Sequence, residues 1–278
     1  MSTAFEYALL HRGYDVSITS KLGEGGFGIV YAGVRLNDNA PIAVKYIYHK
    51  DVWRWHTVKQ PFQSKIPMEI HMLKRVNKVD GTIKLYDWFK IEHGYVLVME
   101  RSIKSISLYS YMKTHVLNEK EIINIFKRLA QITYDCWVKC GIIHCDLKEA
   151  NILINKETMA ITILDLDFAV ECSKRLRRTY AGTPLYAPPE WYINGIYYPE
   201  STVVWTLGVI LWKLLFRKSP FKTTKDIRKF ETLETIDPFE TEKLLYSSNV
   251  ISLLTSLIRK KINERPGIDV LHKLALSL

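Results

Sequence analysis

The chain has 278 residues, enough for one large domain or two lobes sharing a cleft, and its 47% hydrophobic and 24% charged residues exclude global disorder. Lys and Arg number 39 against 29 Asp and Glu, and the resulting +10 suits anionic partners such as phosphate-bearing ligands. Cys136, Cys140, Cys145 and Cys172 form no C-x-x-C pair, zinc spacing or disulfide framework, which points to a reducing compartment, the cytoplasm.

The N-terminal MSTAFEYALLHRG has no charged region followed by an apolar one, so it does not read as a signal peptide. Strands are expected over about residues 14–50. Tyr14, Val16 and Ile18 alternate, a glycine-rich turn leads into Ile29, Val30 and Tyr31, and Pro41 to Lys45 follows the turn residues Asn37, Asp38 and Asn39. Pro67 opens a helix that places Glu69, Leu73 and Val76 on one face. Strands follow near Ile83–Phe89 and Tyr95–Glu100.

Beyond about residue 103 the pattern becomes helical. Asn118 and Glu121 have the spacing of a capping box for a helix carrying Ile122, Phe126, Leu129, Ile132 and Trp137, which Gly141 closes. Short strands are expected at Ile152–Ile154 and Ile161–Leu164. Val203 to Phe216 is apolar nearly all round, as a buried central helix should be; Lys213 interrupts it, and the stretch is too short to span a bilayer. The basic run Lys174-Arg175-Leu176-Arg177-Arg178 has the composition of a nuclear address, making the nucleus a second candidate location. The fold class is α+β and bilobal, a single domain over 1–278: a small β-rich lobe with one main helix, about 14–101, and a larger, mainly helical lobe, about 102–278.

Gly23-x-Gly25-x-x-Gly28-x-Val30 is the first motif with chemistry. Such a turn lets backbone N–H groups approach phosphate oxygens without a Cβ in the way, although a glycine hairpin with no ligand fits the letters equally well. The residues after it, Ile29 to Gly33, read as a strand; a dinucleotide-binding unit requires a helix there, so a phosphate lid between strands is favoured. Lys45 ends the apolar strand Ala43-Val44-Lys45. Glu69, on the apolar face of the next helix, would be costly to bury alone, and an ion pair with Lys45 resolves that cost.

His144-Cys145-Asp146-Leu147-Lys148-Glu149-Ala150-Asn151 matches the H-R-D-L-K-x-x-N catalytic loop of protein kinases at every position but the Arg. The resemblance implies ATP and Mg²⁺ as cofactors. In it Asp146 accepts the substrate hydroxyl proton, Lys148 steadies the γ-phosphate, Asn151 binds Mg²⁺, and Lys45 holds the α- and β-phosphates. Lys148 is the serine/threonine pattern. For the D-F-G element two frames compete, Asp165-Leu166-Asp167 and Asp167-Phe168-Ala169.

The chain resembles the Pim family of serine/threonine kinases from about Tyr14 to Leu274. Ile66-Pro67-Met68-Glu69, Leu85-Tyr86-Asp87-Trp88-Phe89, Met99-Glu100-Arg101 and Pro188-Pro189-Glu190-Trp191 carry the likeness. The family frame aligns Asp165 without gaps as the Mg²⁺ ligand, with Asp167 as the alternative, and Asp167 then stands where the family has glycine. The resemblance implies cofactor contacts at Leu22, Gly23, Gly25, Gly26, Phe27, Gly28, Val30, Ala43, Met99, Glu100, Ser102 and Leu153. It implies that Thr183 links Asp146 and Lys148 to the incoming hydroxyl, and that Glu190 and Arg265 form a structural pair. Partners are expected to be protein substrates with Ser/Thr acceptors, with no transmembrane segment, no nucleic-acid module and a monomeric chain.

Two departures carry expectations of their own. Cys145 replaces the Arg that receives an activation-loop phosphate, so activity should be constitutive although Ser173, Thr179 and Tyr180 are available for modification. The family reads Arg-rich substrates with carboxylates. Here Ser107, Ala150, Lys218 and Lys222 stand at or beside those places and only Glu149 is retained, so that preference should be lost. The alternative to an active enzyme is a pseudokinase that binds nucleotide or partners with little transfer.

Overall fold

The computed structural model describes residues 2–26, 28–58, 64–172, 175–237 and 239–278. The chain divides into two compact units, residues 1–78 with 82–105 and residues 79–81 with 106–278.

The first unit is built on β1 (Tyr14–Gly25), β2 (Gly28–Arg35), β3 (Ala40–Tyr48), β6 (Leu85–Ile91) and β7 (Gly94–Glu100). They form a five-stranded antiparallel sheet in the order β1-β2-β3-β7-β6. β4 (Trp55–Val58) and β5 (Ser64–Pro67) make a separate two-stranded ribbon ahead of α2 (Met68–Val76). Alternation along β3 sends Ile42, Val44 and Tyr46 to one face, where they pack with Val16, Phe89, Val96 and Val98. α1 (Ser2–Leu10), which the sequence reading does not anticipate, covers this face with Phe5 and Leu9, one helical turn apart. Leu9 is fully buried, and truncating such a side chain to Ala costs about 2–5 kcal/mol.

The second unit contains α3 (Leu108–Thr114), α4 (Glu119–Cys140), α5 (Pro189–Asn194), α6 (Pro199–Phe216), α7 (Thr224–Lys229), α8 (Phe239–Glu242), α9 (Ser248–Leu257) and α10 (Ile268–Leu276). After β8 (Ser105–Ser107), its short strands include β9 (Ile142–Ile143), β10 (Ile152–Asn155), β11 (Ile161–Ile163) and β12 (Val170–Glu171); β10 pairs with β11, and β12 with β9. α4 starts in the anticipated capping box. Asn118 Oδ1 accepts from the Glu121 N–H at 3.0 Å, the Glu121 carboxylate accepts from the Asn118 N–H at 2.9 Å, and Gly141 ends the helix at φ 62°.

α6 corrects the expected length. Pro199 supplies its first turn, so the helix has 18 residues and by length and composition could cross a membrane. Of its residues 83% are buried inside the protein, with Trp205 and Trp212 fully covered, so its apolarity all round is that of a core helix.

Candidate active site

In the first unit, β1 and β2 form the glycine-rich hairpin, with Gly23 opposite Val30 and Gly25 opposite Gly28. Leu22, Gly23, Gly25 and Gly26 are exposed near its tip and Val30 is half-buried; Phe27 lies outside the described residues. Gly28 is at φ +133°, and a Cβ there would meet the Tyr46 carbonyl oxygen at 2.2 Å, so only glycine fits.

Lys45 pairs with Val30 on β2 and Leu97 on β7. Its Nζ donates to both Glu69 oxygens, at 2.7 and 2.8 Å, and the Glu69 side chain is 3% exposed. The buried carboxylate has the partner the sequence reading assigned to it. Ala43 lies opposite Met99 across β3 and β7. Met99 is buried; Glu100 and Ser102 are half-buried, and Ser102 Oγ accepts from Ser105 Oγ at 2.8 Å.

The second unit gathers the catalytic-loop motif around Asp146, whose side chain is 2% exposed. Asp146 Oδ1 accepts from the Thr183 N–H at 2.7 Å and from its hydroxyl at 2.6 Å. Oδ2 accepts from Lys148 Nζ at 2.9 Å and Asn151 Nδ2 at 3.1 Å, and Lys148 also donates to Thr183 Oγ1 at 2.7 Å. Four donors thus fix one carboxylate. His144 buttresses the loop from behind: the Asp146 N–H donates to Nδ1 at 3.3 Å, which leaves Nε2–H to donate to the Leu164 carbonyl at 2.7 Å. Burial pushes the imidazole below its usual pKa, in keeping with a neutral ring.

Asn151 turns its amide nitrogen toward Asp146, so its Oδ1 accepts no hydrogen bond among the described residues. The Leu164 N–H donates to the Asn151 carbonyl at 2.8 Å, which brings the next residue, Asp165, beside Asn151. Asp165 is in the left-handed region at φ 60°, and its Oδ1 accepts from the Asp167 N–H at 3.3 Å. Carboxylate oxygens of Asp165 and Asp167 lie within 4.8 Å of each other, so the second frame is not spatially remote from the first. Leu166 between them is buried, and Leu153 on β10 is half-buried.

Glu190 and Arg265 make the anticipated pair, bidentate at 2.8 and 2.6 Å with both side chains buried. Glu149 departs from expectation. Rather than standing free to read a substrate Arg, it is 2% exposed, takes Lys213 Nζ at 2.7 Å and accepts the Tyr186 hydroxyl. Burial and the Glu149 charge raise the Tyr186 phenol far above its usual range. The available signal was Lys213 itself: a lysine inside an otherwise buried helix calls for a buried carboxylate. Ser107 caps α3, accepting from the Ser110 N–H at 3.1 Å; Ala150 is exposed, and the Lys218 ammonium lies 3.9 Å from Glu242.

The protein kinase domain model matches residues 16–275. The chain belongs to the protein kinase domain family, in its serine/threonine class. It is 36% identical to the serine/threonine-protein kinase prk-2 of Caenorhabditis elegans over 77% of this chain, and spans 48% of that relative's length. It is 28% identical to the serine/threonine-protein kinase pim-2 of Danio rerio, over 89% of this chain and 80% of that protein. The PAS domain-containing serine/threonine-protein kinase of Mus musculus is 29% identical over 93% of this chain, which covers 18% of that protein.

Proposed function

We propose that this chain transfers the γ-phosphoryl group of ATP to serine or threonine hydroxyls of proteins, with Asp146 as the residue that accepts the hydroxyl proton. The observation that carries this is the four-donor arrangement of Thr183, Lys148 and Asn151 around Asp146, which orients a carboxylate rather than merely burying one. The sharing of Lys148 by Asp146 and Thr183 supports its donating to the transferring phosphate. Glu69 holds Lys45 extended for the α- and β-phosphates. Within the first unit, Glu100 and Ser102 offer backbone contacts to adenine, and Leu22, Val30, Ala43 and Met99 offer apolar ones. Asn151 Oδ1 and the Asp165 carboxylate are hard oxygen donors of the kind Mg²⁺ takes. Mg²⁺, when bound, neutralises charge on the phosphate oxygens.

The purified chain should phosphorylate serine or threonine in a mixed protein substrate with Mg-ATP, and Lys45→Met should abolish this; because it strands the buried Glu69 carboxylate it should also lower the melting temperature, so the variant is assayed well below its own transition. A second reading, nucleotide binding without transfer, is favoured by Asp167 in the glycine position and by Cys145. Saturable ATP binding with no transfer above that of Lys45→Met would establish it.

Closeness to Pim kinases is supported by the matches to prk-2 and pim-2 together with the shared motifs. The loss of that family's Arg preference is supported by the neutralisation of Glu149 by Lys213. A positional peptide library should show no selection for Arg three residues before the acceptor; strong selection there contradicts it. Constitutive activity is supported by Cys145, which has no charge to offer a loop phosphate. Phosphatase treatment should change the rate less than about tenfold.

A further inference from the structure

If no phosphate–arginine pair orders the segment leading to Thr183, something else must hold it. Residues 175–183 carry that answer in aromatic rings and backbone pairing. Arg177 and Tyr197 form an isolated antiparallel bridge, Arg177 N–H to the Tyr197 carbonyl at 2.9 Å and Tyr197 N–H to the Arg177 carbonyl at 3.1 Å. The Tyr197 hydroxyl donates to the Thr179 carbonyl at 3.1 Å. The Tyr180 ring centroid lies 5.3 Å from Tyr197, edge-on at 78°, and 5.9 Å from Trp191 at 31°. Trp191 and Tyr197 close the triangle at 6.1 Å and 88°. These separations fall in the range where aromatic pairs attract beyond simple burial.

The triangle is tied to fixed structure on one side and to the reactive centre on the other. Trp191 is on α5, next to Glu190, whose carboxylate Arg265 holds bidentately. Past Thr183, the Tyr192 hydroxyl of the same helix donates to the Pro184 carbonyl at 2.7 Å, so α5 grips the chain on both sides of Thr183. Gly182 makes the close approach possible: a Cβ there would lie 2.4 Å from the Cys145 carbonyl oxygen and 2.9 Å from the Tyr180 hydroxyl. Thr183 follows at once, with its N–H on Asp146.

We propose that Tyr180, Trp191 and Tyr197 are positioning residues, an aromatic clamp that holds the segment before Thr183 in its working conformation without phosphorylation. The proposal rests on the activity proposed above and names how that activity is made independent of a loop phosphate. The clamp acts through the ring of Tyr180, not through its hydroxyl. It orders the phosphoacceptor side and leaves nucleotide binding alone.

The test compares wild type, Tyr180→Phe, Tyr180→Leu, Tyr180→Ala and Asp146→Asn as full chains. Tyr180→Ala and Tyr180→Leu should lose about tenfold or more in kcat/KM for a protein substrate, the loss of two aromatic contacts, with ATP affinity unchanged. Tyr180→Phe should stay within about threefold of wild type. Limited trypsin digestion should cut after Arg177 or Arg178 faster in Tyr180→Ala than in wild type. Tyr180→Leu keeps apolar bulk and serves if the alanine variant misfolds. Wild-type rates in both Tyr180→Ala and Tyr180→Leu would overturn the clamp, as would an equal loss in Tyr180→Phe. Should wild type transfer no more phosphate than Asp146→Asn, the activity reading fails, and the tryptic comparison alone decides: equal cleavage overturns the clamp, faster cleavage upholds it.

Discussion

Thr183 gives both its backbone N–H and its hydroxyl to the same oxygen of Asp146, at 2.7 and 2.6 Å, while its hydroxyl accepts from Lys148 at 2.7 Å. One residue therefore fixes the carboxylate and the cation beside it. Thr183→Ala removes a hydrogen bond to a charged group, worth about 1.5–3 kcal/mol, so kcat should fall roughly ten- to hundredfold. Thr183→Ser should recover most of it, and KM for ATP should not move in either variant. Steady-state kinetics of the three proteins check this; an unchanged kcat in Thr183→Ala contradicts it.

Asp165 and Asp167 differ in what precedes them. Asp165 follows Leu164, whose N–H is bonded to Asn151, the other residue proposed for Mg²⁺. Asp165→Ala should therefore cripple transfer much more than Asp167→Ala. Rates measured across a Mg²⁺ titration decide it, since loss of a metal-binding group should also raise the Mg²⁺ requirement. The reverse order of the two variants would assign the metal to Asp167.

The Glu190–Arg265 pair is buried on both sides, and Arg265 also lies over the Trp205 ring at 5.0 Å. Removing one partner strands a buried charge, at a cost of about 3–5 kcal/mol. Arg265→Ala should lower the melting temperature by about 6 °C or more in a chain of this size. Calorimetry of wild type and variant measures it, and coincident transitions exclude the assigned role.

His144 gives a pH dependence with a definite sign. Burial lowers its folded pKa below the ordinary 6.5, against the opposing pull of Asp165 and Asp146. The unfolded chain then takes up the proton first as pH falls below 6.5, so stability from this residue is complete above that pH and is lost on acidification. The slope is at most about 1.4 kcal/mol per pH unit for one proton. Urea unfolding at several pH values should show a steeper decline below 6.5 in wild type than in His144→Gln; identical declines would mean that His144 contributes nothing.

Features set by neighbours along the chain were legible in the sequence. The Asn118–Glu121 box, the Gly141 cap, the inward alternation of Tyr14 and Val16 on β1 and the burial of Glu69 each follow from spacing of a few residues, although Ile18, expected to continue that alternation, is exposed. The catalytic loop was legible because its residues are contiguous. α1 was missed because its only strong signal, Phe5 and Leu9 one turn apart, is too short to stand without the sheet it covers. Glu149 with Lys213, 64 positions apart, and the Tyr180–Trp191–Tyr197 triangle were invisible for another reason. No local pattern records which distant side chains the fold brings into contact. Glu149 alone therefore looked like a free carboxylate, and the structure corrects it.

The measurement closest to the central claim is phosphate transfer itself. Wild type and Asp146→Asn, purified identically, are incubated with Mg²⁺ and labelled ATP on a protein substrate, and the labelled amino acid is then identified. The account predicts label on serine or threonine with wild type and a loss of at least about a hundredfold in Asp146→Asn, which keeps the shape of the side chain but not its basicity. Equal labelling by the two proteins, or none by either while ATP still binds, would contradict it.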